Sequence, residues 1–100
     1  MIKHVVMWKL KEMAAGNNKA ANAKLLKVRL EMLKNLIPQI QSLEEGINCA
    51  ESEAAWDVVL ITEFNSISDL EIYINHPDHK SLVKFVSEIR TDRAVVDAEL

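Results

Sequence analysis

Two stretches of this chain alternate with period two, and both are apolar on both of their faces. In the first, Ile2, His4, Val6, Trp8 and Leu10 share one side, with Lys3, Val5, Met7 and Lys9 on the other. In the second, Trp56 to Phe64, the residues Trp56, Val58, Leu60, Thr62 and Phe64 alternate with Asp57, Val59, Ile61 and Glu63. Period-two alternation is the mark of a β-strand. Apolar side chains on both faces mean that each face of the sheet needs a cover. Helices can supply one. The face carrying Val5, Met7, Val59 and Ile61 then stays bare, and a large apolar patch is a liability for a chain of 100 residues. The expected remedy is a second copy packed sheet against sheet, a homodimer in the form of a dimeric barrel.

The intervening segments supply the helices. From about Lys19 to Ile37 the apolar spacing lengthens to the helical period, with Leu26, Leu30, Leu33 and Ile37 in one stripe. Leu25, Val28, Met32 and Leu36 form a second stripe about 120° round the axis, which predicts contact with more than one neighbour. Pro38 ends the helix, because the residue before a proline is pushed from helical angles. Glu12 to Asn18 reads as a loop, and Ser42 to Ala50 as a weaker strand with Leu43, Ile47 and Cys49 on one parity. Ser68-Asp69-Leu70-Glu71 fits a capping box that opens a second helix. That helix is interrupted at His76-Pro77-Asp78-His79 and resumes through Leu82, Val83, Phe85, Val86 and Ile89. Arg93 to Glu99 reads as the last strand. The order βαββαβ is the α+β, ferredoxin-like pattern: one domain over residues 1–100, an antiparallel four-stranded sheet with two helices on one face.

Composition narrows the chemistry. Lys plus Arg is 12 and Asp plus Glu is 15, a net charge of −3 that offers no general attraction to nucleic acid or anionic lipid. The single cysteine, Cys49, forms no disulfide within the chain and reads as a small hydrophobe. No apolar run reaches the roughly 20 residues of a membrane span, and the first residues are too charged for a signal peptide. The expectation is a soluble cytoplasmic protein. No phosphate loop, nucleophile elbow or Rossmann glycine run is present in the sequence.

Three histidines carry what chemistry there is. His4 sits mid-strand among Ile2, Val6 and Trp8, where it is either a core histidine or a titratable group in an apolar pocket. His76 and His79 flank a proline break, which serves either as helix punctuation, with Asp78 capping the next segment, or as part of a site. A metal site needs a third placed ligand that the spacing does not supply, so no metal and no cofactor are expected. An acid–base site needs a partner, and Tyr73 precedes His79 by six residues.

Ile2-Lys3-His4-Val5-Val6, Leu36-Ile37-Pro38, Gly46-Ile47-Asn48, Trp56 to Ile61, Tyr73 to His79 and Arg93 to Asp97 together resemble the stress-responsive dimeric α/β-barrel family. The resemblance spans essentially the whole chain, with His-Pro-x-His as its most specific part. It implies a ferredoxin-like protomer and a homodimer. The family includes a plant polyketide cyclase that works by histidine–tyrosine acid–base chemistry, and this implies His79, Tyr73 and His4 as catalytic residues. Val58 and Leu30 stand where that cyclase has a histidine and a tyrosine, so its polar lining is reduced. Trp8, Val58, Leu30 and His76 complete the expected ligand-binding set. Three activities follow as expectations: a small apolar pocket for an organic ligand with no assigned reaction, a cyclase or lyase acting through His79 and Tyr73 on a carbonyl substrate, and a cofactor-independent monooxygenase.

Overall fold

A computed structural model describes all 100 residues. Strand β1 (Ile2–Leu10) leads into a short hairpin, β2 (Met13–Ala14) and β3 (Asn17–Asn18), and then α1 (Lys19–Leu36). Strands β4 (Ser42–Ile47) and β5 (Val58–Phe64) precede two consecutive helices, α2 (Ile67–Asn75) and α3 (Pro77–Ile89), and β6 (Arg90–Glu99) closes the chain. The main sheet is antiparallel in the order β4-β5-β1-β6. This is the ferredoxin-like arrangement, with three helices in place of the expected two, because the break at His76-Pro77 separates α2 from α3.

Strand β1 is central and alternates as its sequence requires. Ile2, His4, Val6, Trp8 and Leu10 are buried beneath the helices, and the residues between them are half-buried. The core includes Leu26, Leu30 and Leu33 from α1 with Ile37 just beyond its end, Val58, Leu60 and Phe64 from β5, and Leu82, Val86 and Ile89 from α3. On α1 only the first stripe is inward. Leu25, Val28, Met32 and Leu36 are exposed, so the second stripe meets no second neighbour within the protomer.

Local chemistry moves several boundaries. Glu12 to Asn18 is a hairpin, not an open loop: Ala15 (φ 50°) and Gly16 (φ 79°) both adopt positive φ, as a two-residue type I′ turn demands. Buried Asn22 holds that hairpin to α1 by donating from Nδ2 to the Ala14 carbonyl at 3.0 Å and to the Asn17 carbonyl at 3.4 Å. Ser66, not Ser68, caps α2, its Oγ accepting from the Asp69 amide at 3.1 Å. Strand β4 stops at Ile47, leaving Cys49 exposed beyond it.

Strand β5 begins at Val58 because Asp57 is otherwise engaged. Its carboxylate accepts from the Leu10 amide at 2.7 Å, and its own amide donates to the Trp8 carbonyl at 2.9 Å. The chain turns there, and Trp56 falls on the open side of the sheet, its ring 5.1 Å from Lys9 Nζ. The expected place of Trp56 beside Trp8 in the helix-side core is therefore corrected. Strand β6 starts three residues earlier than its apolar centre suggested, directly at the end of α3. No helix is long and apolar enough to cross a membrane.

Candidate functional site

The break between α2 and α3 builds the site. His76 precedes a proline and is extended (φ −66°, ψ 137°), as the clash with the proline ring dictates. Its Nδ1 accepts from the Asp78 amide at 3.1 Å, so His76, and not Asp78, is the N-cap of α3. Pro77 occupies the first helical position, where its missing N–H costs nothing. The resulting turn folds the start of α3 back over the end of α2 and sets His79 against Tyr73, ring centroids 4.4 Å apart.

The aromatic contacts continue inward. Tyr73 lies 5.0 Å from Phe64 and 5.9 Å from His4, again centroid to centroid. His4 belongs to the sheet, and its Nδ1 is hydrogen-bonded to the Asp97 carboxylate, directly opposite it on β6. A carboxylate accepts, so Nδ1 carries the proton that joins the two residues. The same argument fixes His79. Its Nδ1 lies 3.1 Å from the Ile74 carbonyl, which can only accept, leaving Nε2 as a free base.

Tyr73 is fully buried, and its hydroxyl has no hydrogen-bond partner. Burial pushes that hydroxyl far above its ordinary pKa, with the charge of Arg93 pulling weakly the other way, so it stays protonated. Burial also lowers the pKa of His79. The Ile74 carbonyl opposes this, while repulsion from Arg93, and from His4 and His76 whenever those rings carry a proton charge, reinforces it.

These side chains border a cavity of about 70 Å³ between α3 and the sheet. Its floor is His4, Val6, Trp8 and Leu60, its inner wall Tyr73 and His79, and its outer wall Leu82, Val83, Val86 and Ser87 of α3. Arg90 and Arg93 of β6 complete it. Val83, Ser87 and Arg93 are exposed, so the opening lies between α3 and β6. Four expected residues, His4, Trp8, Tyr73 and His79, meet here. Three do not: Leu30 and Val58 are packed into the core away from the cavity, and His76 is spent on capping α3. No three His, Cys, Asp or Glu side chains converge as a metal-binding group.

Arg90, Arg93 and Asp97 went unread in the sequence. They were findable only through the pairing of β6 with β1, which places Asp97 opposite His4 and Arg93 opposite Trp8.

The depressed pKa of His79 has a consequence for stability. Below 6.5, its ordinary value, the unfolded chain takes up the proton more readily than the folded one. The His79 contribution is therefore intact above 6.5 and is lost as pH falls toward the folded pKa. Thermal unfolding of the wild type should fall more steeply than that of His79→Gln as pH drops from 7 into the acid range. Parallel melting curves for the two would contradict the assignment.

Comparison with known proteins places the molecule. A dimeric ferredoxin-like protein of unknown function from Bacteroides fragilis superposes with a TM-score of 0.88 at 31% identity, over 99% of this chain and 95% of that one. A dimeric ferredoxin-like protein of unknown function from Thermobifida fusca does so at 0.85 and 17% identity, over 99% and 90%. The hydroxynitrile lyase of Passiflora edulis shares the fold, with a TM-score of 0.80, 15% identity and coverage of 97% and 90%. No curated protein matches the sequence. The model of the stress responsive A/B barrel domain matches residues 2–100, and the chain belongs to that family.

Proposed function

We propose that this chain is a homodimeric ligand-binding domain whose cavity performs acid–base chemistry on a small carbonyl compound. One observation carries the reading: a buried tyrosine whose hydroxyl has no internal partner lines a cavity, beside a histidine whose free nitrogen is held neutral. A buried unpaired hydroxyl costs about 1–3 kcal/mol. That cost is offset if a bound molecule completes the hydrogen bond.

The residues support one division of labour. His79 Nε2 accepts a proton from the carbon next to a carbonyl, and the electron pair of the broken C–H bond moves onto the carbonyl oxygen. Tyr73, held protonated by its burial, donates a hydrogen bond to the oxyanion that forms. His4, fixed by Asp97, holds its ring on the cavity floor beside Tyr73. The resulting enolate can close on a second carbonyl, as in a cyclase, or expel a leaving group, as in a lyase.

Tyr73→Phe tests this directly. It removes an unsatisfied hydroxyl, so the variant should unfold at the same or a higher temperature while losing ligand binding or turnover. A destabilised Tyr73→Phe that binds as before would make the hydroxyl structural and end this reading. His79→Ala should lose function in the same way, with stability changed by no more than about 1 kcal/mol.

The dimer rests on the open sheet face. Val5, Met7, Val59 and Ile61 lie there half-buried, joined by Val96 at 62% exposure and bounded by the Lys3–Glu63 ion pair at 3.9 Å. An apolar centre with a charged rim is the anatomy of a stable interface. Val59→Lys should sediment as a monomer or become insoluble, since it places a charge in that centre. A soluble, unchanged dimer would put the interface elsewhere.

A further inference from the structure

We infer that the cavity takes a small organic monocarboxylate, gripped at its mouth by the guanidinium of Arg93 with Arg90 beside it. This deepens the preceding reading and rests on it. Two independent observations point to an anion.

The first is backbone geometry. Residues 90 and 93 are three apart, so in a regular strand they would point to opposite faces. In β6 the register shifts against Lys9 and Leu10: Arg93 pairs with Trp8, yet Arg90, not Thr91, pairs with Leu10. Trp8 and Leu10 both face the helices, so the bulge turns both arginines to that side, where both line the cavity. Bulges re-aim side chains in this way.

The second is charge pairing. Every Lys or Arg ion pair in the molecule uses a lysine, Lys3, Lys19 or Lys27, and two further carboxylates lie against His4 and His76. Of the three arginines, Arg29 lies over the Phe85 ring at 4.3 Å. Arg90 and Arg93 have no carboxylate within 4.0 Å and no side-chain hydrogen bond. Thus the two unpaired guanidiniums border an otherwise mostly apolar cavity, in a chain whose net charge is −3. A guanidinium presents paired N–H donors that match the two oxygens of a carboxylate, which an ammonium cannot do. With the carboxylate at the rim, the ligand's carbon skeleton extends inward over Trp8 and Val86 toward His79 and Tyr73. The small cavity suits one carboxylate on a compact body and not a larger polyanion.

Benzoate and its neutral isostere benzamide separate the possibilities, with binding followed by calorimetry and by the ring resonances of His79 and Tyr73. Wild type should bind benzoate at least about tenfold more tightly than benzamide. Arg93→Gln should bring benzoate down to the level of benzamide without lowering the melting temperature, and Arg93→Lys should restore only part of the difference. Adding Arg90→Gln tests whether the neighbour substitutes. Equal binding of benzoate and benzamide beside His79 would overturn the carboxylate assignment and leave the cavity as a ligand site. An unchanged benzoate affinity in the Arg90→Gln, Arg93→Gln double variant would do the same. Absence of any response at His79 and Tyr73 to either compound would overturn both readings together.

Discussion

Strand β1 is hydrogen-bonded on both sides, to β5 and to β6, and its register decides which side chains meet. Because strand side chains alternate, a slip of one residue would turn Ile2, His4, Val6, Trp8 and Leu10 out of the core together. Burial of those five makes such a slip prohibitive. The same register sets His4 opposite Asp97 and Trp8 opposite Arg93, so the polar groups of the cavity are fixed by the pairing that fixes the core. Thr62 adds a small lock, its hydroxyl donating to the His4 carbonyl at 3.3 Å.

Around that strand the cavity departs from what stability alone would select. Tyr73 keeps a buried hydroxyl without a partner, and the two arginines at the cavity lack counter-ions, whereas Lys3, Lys19 and Lys27 have theirs. Such departures concentrate where a protein binds or reacts. The electrostatics agree with one another. Burial holds both His79 and Tyr73 in their neutral forms, one as a base and the other as a donor, so Tyr73 adds no negative charge beneath the arginines. An anionic ligand would meet a site that is positive at its rim and neutral at its base.

The fold was legible because it depends on periodicity. The alternation of β1 and β5 and the Leu26-Leu30-Leu33-Ile37 stripe each fell on the buried side they indicated. What failed was local competition. Asp57 left the strand pattern because its carboxylate and amide both bond to the end of β1, and Trp56 went with it to the open face. His76 took the capping role that Asp78 was expected to fill, since its imidazole reaches the free amide of α3. Tyr73 and His79 were singled out by residue type and spacing, and His4 joined them through the family resemblance. Asp97, Arg90 and Arg93 were not, because their positions depend on a pairing across some ninety residues and, for Arg90, on a bulge that no pattern in β6 announces.

His79 lines the cavity with its proton held on Nδ1 by the Ile74 carbonyl, which leaves the lone pair on Nε2. Ring-nitrogen NMR of ¹⁵N-histidine-labelled protein, titrated through the neutral and acid range, reads both properties at once. At neutral pH Nδ1 should carry the proton and Nε2 should be bare, with a midpoint below 6.5. A proton on Nε2, or a midpoint above 6.5, would contradict this assignment.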